Sequence, residues 1–328
     1  MFNVSQDRNI FQVGENSFEK QALALFRFQA EHGPVYRAYI RALGVDPGKV
    51  TRITDIPFLP IRFFKTHKVV TTDFPPDLLF ESSGTTGTIN SKHWVKDPGL
   101  YERSFLEGFR HFYGEPKDWC ILGLLPSYLE RKHSSLVYMV EHLVRLSGHP
   151  AGGFYLYEHE RLAQQLVSLE QEGQQTLLIG VTFGLLDFAQ DYTLSLKHTV
   201  VMETGGMKGR REEWTREQVH GMLKEHLGVD AVHSEYGMTE LLSQGYSRGD
   251  GIFRSVPWMR PYIRDEDDPL LVRERGKGVL NIIDLANVYS CAFIGTEDLG
   301  HIYEDGSFEV LGRVDNSDIR GCSLLLTM

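Results

Sequence analysis

The chain has 328 residues, a formal net charge of −10 and 41% hydrophobic residues, enough to bury a large core in one domain or two smaller ones. That acidity argues against a general nucleic-acid or anionic-membrane binder, and no apolar run is long enough to span a membrane. Three scattered cysteines (Cys120, Cys291 and Cys322) and a start without the blocks of a signal peptide predict neither a disulfide framework nor a zinc site, and a cytoplasmic protein is expected.

Helical spacing over residues 17–43 predicts two helices divided near Pro34. The segment from Ile56 to Lys65 carries Pro57 and Pro60, which favour an extended path, and aromatic residues that should anchor it. From 78 to 236 the pattern alternates. Strands are predicted at Leu78–Phe80, Trp119–Leu125, Gly153–Tyr157, Thr176–Val181, Thr199–Glu203 and Ala231–Ser234, and amphipathic helices near 98–112, 134–147, 159–171 and 214–227. This predicts an α/β fold with a mainly parallel, helix-covered sheet, whose ligands bind beyond the carboxyl ends of the strands. After 245 short β-like runs at 252–256, 270–273, 279–284 and 308–311, with a hairpin turn at Asp305-Gly306, predict a smaller β-rich subdomain.

Four segments carry candidate chemistry. The loop Ser82-Ser83-Gly84-Thr85-Thr86-Gly87 packs hydroxyls and glycines after the apolar run Leu78-Leu79-Phe80, a composition that can wrap a polyphosphate through hydroxyl and backbone N–H donors. It is not a Walker A loop, because Thr88-Ile89-Asn90 replaces the Lys-Ser/Thr pair. Lys92 could reach a phosphate or be an ordinary surface lysine. In Tyr236-Gly237-Met238-Thr239-Glu240, Glu240 suits Mg²⁺, Thr239 a phosphate and the Tyr236 ring a base, although a simple turn explains the segment as well. Asp298, within Gly295–Gly300, can accept ribose hydroxyls, and Arg313 can donate to ribose or balance phosphate charge. The acidic run Asp265–Asp268 reads as a solvated loop.

In order and spacing these segments resemble the adenylate-forming superfamily, which includes acyl-CoA synthetases, luciferases and peptide-synthetase adenylation domains. Ser82 to Gly87 is similar to its phosphate loop, Tyr236 to Glu240 to its Tyr-Gly-x-Thr-Glu motif, Asp298 to its ribose-binding aspartate and Arg313 to the arginine that opens its hinge motif. Gly205-Gly206-Met207 resembles its adenine-binding segment. The Ile56 to Lys65 segment, Glu81 to Gly87, and Gly312 to Gly321 most resemble the acyl-protein synthetases of bacterial luminescence systems (LuxE-like), with phenylacetate-CoA ligases next.

The resemblance implies an ATP-dependent ligase that activates a fatty or aryl carboxylate as acyl-AMP and passes it to a thiol of CoA, a carrier protein or a protein cysteine, with an acyl reductase as a further possible partner. The alternative is a catalytically weak nucleotide- or acyl-binding scaffold subunit. Implied cofactors are ATP and Mg²⁺: Ser83, Thr85 and Thr86 on the β- and γ-phosphates, Thr239 on the α-phosphate, Glu240 on the metal. The expected division is an α/β nucleotide- and acyl-binding core with N-terminal helices over 1–245, a β-rich subdomain completing the nucleotide site over 246–321, and a truncated hinge or tail over 322–328. The family's C-terminal lobe and its lysine are expected to be missing, and Lys92 or Lys208 are the candidates to replace that lysine. Cys322 is the candidate for acylation, set against a small buried hydrophobe. Gly180 to Leu186 could line an acyl tunnel or begin a core helix, and His133 and His233 are either acid–base candidates or structural histidines.

Overall fold

A computed structural model of the chain describes residues 10–82, 89–126, 131–205 and 214–314. The chain divides into two compact units. One comprises the chain up to Phe63, Val69–Thr72 and everything from Pro257 onward; the other comprises Phe64–Lys68 and Asp73–Val256.

The second unit is built on a sheet in the spatial order Ile252–Ser255, Gly245–Ser247, Val232–Tyr236, Thr199–Glu203, Thr176–Gly180, Cys120–Leu124, Gly153–Phe154. The last five strands are parallel, and the first two join them antiparallel. Three of these parallel strands, Cys120–Leu124, Thr176–Gly180 and Thr199–Glu203, are short and largely apolar, as strands covered on both faces require. On one face Cys120, Leu122, Leu124, Leu178, Val201 and Val232 pack against the apolar stripes of the helices His159–Glu172, Thr182–Asp191 and Arg216–Leu227. On the other face Gly123 lies against Val140 of the helix Ser135–Ser147. Side chains of Asp97, Ser134 and Thr215 accept backbone N–H bonds and cap three helices, Pro98–Tyr113, Ser135–Ser147 and Arg216–Leu227. The helix-covered, mainly parallel sheet expected from the sequence is present.

Leu78–Phe80 departs from the expected alternation. The strand Leu78–Glu81 pairs antiparallel with Lys92–Val95 in a separate two-stranded ribbon. About ten residues separate these two runs, fewer than the crossover of a parallel pair needs, and the chain returns beside itself. The segment Gly180 to Leu186 resolves as the start of a core helix, Thr182–Asp191, with Leu185 and Leu186 fully buried.

The first unit carries the antiparallel sheet expected near the C-terminus, in the order Val272–Arg273, Met259–Arg264, Gly276–Asp284, Phe293–Ile302, Phe308–Arg313. The hairpin at Asp305-Gly306 forms with Gly306 at φ +77°. Leu59–Pro60, in the two-proline segment, pairs parallel with Ile294 and Gly295. The strand Met259–Arg264 lies outside the predicted β-like runs and carries Pro261, which cannot donate to a ladder. It is tolerated because Val272–Arg273 pairs only with Ile263 and Arg264, which leaves Pro261 with a partner on one side. The helices Glu15–His32 and Pro34–Ala42 close the core through Phe26, Tyr36 and Phe293, whose rings meet edge-on or stacked at 5.9–6.1 Å.

Candidate active site

In the parallel sheet Glu203 stands opposite Ser234, so two adjacent strands end side by side. The turn at Gly205 leaves the first and Tyr236-Gly237 the second, which brings two of the predicted nucleotide segments together at the carboxyl edge of the sheet. Tyr236 is buried and its ring packs edge-on against Phe253 at 6.0 Å. A methyl group on Gly237 would meet the Glu235 carboxylate, so a side chain here requires that carboxylate to move. Glu240 is buried, with a relative exposure of 4%.

The ribbon brings in a third segment. His93, itself buried, donates from Nδ1 to the carbonyl of Thr239 at 2.8 Å. Leu78–Glu81 and Lys92–Val95 flank the hydroxyl- and glycine-rich loop, and this bond ties that ribbon to the Tyr236–Glu240 turn. Beyond the strands Ser82 N–H donates to Ser91 O at 3.1 Å and Ser91 N–H to Ser82 Oγ at 2.9 Å, so the Ser82 hydroxyl serves to close the loop's neck. Lys92 pairs with Glu81 across the ribbon, Nζ to Oε1 3.7 Å, and its side chain is half exposed. His133 donates from Nδ1 to Leu79 O, and Glu81 N–H donates back to His133 O, an arrangement that makes His133 structural. Ser83, Gly84, Thr85, Thr86 and Gly87 lie outside the described residues, as do Gly206, Met207, Lys208 and Cys322.

Two acidic side chains that the sequence reading passed over stand at this edge. Glu203 is held below the usual carboxylate range: burial pushes it up, but His220, Ser234, the Gly205 N–H and the Thr182 hydroxyl together outweigh that push. Glu235, on the opposite face, is pushed up to about 8 by burial and by the charge of Glu203. Beside it the half-buried His233 accepts from or donates to Tyr113 Oη at 3.0 Å, and burial, with the nearby Arg248, lowers it to about 4. His233 and Glu235 are therefore both neutral near pH 7. The one available signal for Glu235 was a carboxylate directly after the predicted strand Ala231–Ser234 and directly before Tyr236. Nothing in the sequence marks His93.

In the first unit Asp298 and Arg313 lie opposite each other in adjacent strands, with Arg313 Nε donating to Asp298 Oδ1 at 3.1 Å. Asp298 is nearly buried and Arg313 half exposed. Arg62 forms an ion pair with Glu297, and Thr296 Oγ1 both accepts from Asp298 N–H and donates to Leu280 O.

The architecture of a helix-covered parallel sheet with an antiparallel β-rich part is that of the large N-terminal region of adenylate-forming enzymes. ATP-bound MatB from Rhodopseudomonas palustris is similar over 74% of this chain and 50% of its own, at 19% identity and a TM-score of 0.54. A 2-hydroxyisobutyryl-CoA ligase, solved with 2-HIB-AMP and CoA in the thioesterification state, is similar over 96% of this chain and 73% of its own, at 14% identity and a TM-score of 0.66. The chain thus spans about half the length of the MatB structure and nearly three quarters of the second ligase. No curated protein sequence gives a match. The model of the family described as acyl-protein synthetase, LuxE, matches residues 10–328, and the chain belongs to that family.

Proposed function

We propose that this protein activates a carboxylic acid with ATP, forming an acyl-adenylate and pyrophosphate, and passes the acyl group to a thiol. The observation that carries the proposal is the His93–Thr239 hydrogen bond, which fastens the base of the predicted phosphate loop to the turn bearing Thr239 and Glu240. Membership of the acyl-protein synthetase family and the ATP- and acyl-AMP-bound ligases of the same fold support it.

In this reading a carboxylate oxygen attacks the α-phosphorus and the bond to the pyrophosphate oxygen breaks, with no proton transferred. The difficulty is electrostatic, because two anions meet while charge builds on the phosphorus. Ser83, Gly84, Thr85, Thr86 and Gly87 are assigned to the β- and γ-phosphates, Thr239 to the α-phosphate, Gly205, Gly206, Met207, Tyr236 and Gly237 to adenosine, and Asp298 and Arg313 to ribose. Lys92 is a donor only if it leaves Glu81. A bound Mg²⁺ would offset phosphate charge. Among the described residues no three His, Cys, Asp or Glu side chains group to hold a metal by themselves. That fits a metal held by one carboxylate, Glu240, together with phosphate oxygens, the usual habit of Mg²⁺. The neutral pair His233 and Glu235 would present the acyl group with a polar, uncharged wall.

A fatty or aryl acid is the proposed substrate class, with CoA, an acyl-carrier protein or a protein cysteine as acceptor and an acyl reductase as a partner. Among the described residues no helix is long and apolar enough to cross a membrane. Buried, unpaired Cys120 and Cys291 support a cytoplasmic location. The test is ATP–pyrophosphate exchange with Mg²⁺ across a panel of carboxylic acids, with and without carrier protein. Exchange with at least one acid is expected. Tight AMP binding with no exchange from any acid would replace this reading with that of a non-catalytic scaffold.

A further inference from the structure

Glu203 ends its strand with a charged side chain on the face of the sheet that carries Val201 and Val232. Its Oε2 accepts two hydrogen bonds, from Gly205 N–H at 2.7 Å and from Thr182 Oγ1 at 3.0 Å. Its Oε1 lies 3.9 Å from Nε2 of His220, a histidine buried in the helix Arg216–Leu227. The main chain at this point is clamped from two further directions. Thr204 N–H donates to Gly180 O at 3.1 Å, and Thr182 N–H, at the first residue of its helix, donates to Gly205 O at 3.0 Å. Gly205 has φ +71°, the left-handed region that glycine adopts readily. Both backbone polar groups of Gly205 are therefore engaged, one by a buried carboxylate and one by a helix start.

A carboxylate left with 12% side-chain exposure is costly unless its hydrogen bonds and polar neighbours compensate. A neutral side chain could end the strand without that cost. What the carboxylate adds is a strong, charge-assisted acceptor that locks one backbone amide and one helix terminus into a single geometry. We propose that Glu203 is a positioning residue for nucleotide binding, its carboxylate presetting the Gly205 turn against the helix Thr182–Asp191 to receive the adenosine. This inference rests on the assignment of Gly205 to the nucleotide given above, and concerns what holds that residue in place.

The test compares wild type with Glu203→Ala, Glu203→Gln and Thr182→Val in two measurements: amide hydrogen exchange at Gly205 without nucleotide, and the Kd for AMP by calorimetry. In Glu203→Ala, Gly205 exchange should accelerate and AMP should bind about tenfold more weakly, the size expected for a lost charge-assisted hydrogen bond. Glu203→Gln keeps a carbonyl acceptor but loses the charge, and should fall between wild type and Glu203→Ala in both properties. Thr182→Val leaves the Gly205 bond but frees the carboxylate, and should weaken AMP binding by a few-fold. Unchanged AMP affinity in Glu203→Ala, with or without faster exchange at Gly205, would overturn the inference while leaving the functional reading intact. If Glu203→Ala does not fold, wild-type affinity and exchange in Thr182→Val would overturn it. A wild-type protein that does not bind AMP would overturn the functional reading itself, and this inference with it.

Discussion

Arg313 reaches across an antiparallel rung to Asp298, its Nε 3.1 Å from Oδ1, so that two residues assigned separately to ribose form one ion pair. The buried aspartate is thereby held in one orientation before any nucleotide arrives, while the arginine keeps an exposed edge. An Arg guanidinium carries five donors, and this bond uses one of them. If the pair reads ribose, its effect should depend on the ribose hydroxyls. Wild type should bind AMP about tenfold more tightly than 2′,3′-dideoxy-AMP, and Asp298→Asn should lose most of that preference. Calorimetry with both nucleotides decides the point, because an Asp298→Asn protein that still discriminates tenfold would assign the ribose to other groups.

His93 supplies a second check. His93→Phe keeps an aromatic ring against Phe64, whose ring it meets at 5.9 Å, but cannot donate to Thr239 O. The turn bearing Thr239 and Glu240 would then lose its tie to the ribbon. The expected outcome is a fall of about tenfold in the exchange rate, the usual scale when a catalytic group is misplaced, with a small loss in Tm. A large drop in Tm with an unchanged rate would make the bond purely structural.

The pH dependence of stability follows from His233 and Glu235, which act in opposite directions. Glu235 is pushed up to about 8 when folded, so its contribution is fully present below an ordinary glutamate value of 4.5 and is lost as pH rises toward 8. His233 is lowered to about 4, so its contribution is present above 6.5 and is lost as pH falls toward 4. The groups that set these shifts are Glu203 for Glu235 and Arg248 for His233, with burial the larger cause in each case. Glu235→Gln should flatten the fall in Tm as pH rises from about 5 to about 8, and His233→Gln the fall as pH drops from about 6 to about 4. Calorimetric scans across that range read both effects.

Much of the second unit could be read from the sequence because its signals are local. Three of the parallel strands, Cys120–Leu124, Thr176–Gly180 and Thr199–Glu203, are largely apolar runs of five residues, and helices of this unit carry caps at Asp97, Ser134 and Thr215. The ribbon was misread because the run Leu78–Phe80 resembles a parallel strand until its partner is known, and Lys92-His93-Trp94-Val95 has little apolar character. Long-range polar contacts were illegible altogether. His93 reaches Thr239 across 146 positions, and no pattern in one sequence announces such a pair. Glu203 and Glu235 were hidden for another reason: a carboxylate at a strand end is unremarkable until burial is known, and burial is a property of the whole fold. The same holds for the contribution of Leu59–Pro60 to the C-terminal sheet, a pairing between segments more than two hundred positions apart.

Gln29 gives the strongest prediction about stability. It is fully buried in the helix Glu15–His32. Its Nε2 donates to Asn287 O at 2.9 Å and to Val288 O at 3.0 Å, and its Oε1 accepts from Ala292 N–H at 2.9 Å. One amide thus satisfies three backbone groups of the turn between Gly276–Asp284 and Phe293–Ile302. Gln29→Ala would remove all three bonds, leaving Val288 O with the Thr71 hydroxyl as donor, and open space in the core, at a cost of about 2–4 kcal/mol. Gln29→Glu separates the polar term from the packing term. The ionised carboxylate can still accept from Ala292 N–H, but it turns an acceptor toward the carbonyls of Asn287 and Val288. Its protonated form can donate to one of them. The folded state should therefore hold the proton more tightly than the unfolded chain, so Gln29→Glu should lose stability relative to wild type as pH rises above the ordinary glutamate range and recover it on acidification. Denaturant titrations of wild type and both variants at about pH 5 and about pH 8 measure this. An equal loss for Gln29→Glu at both pH values would mean that the carboxyl finds another partner and that the three-bond bracket is not what holds the turn.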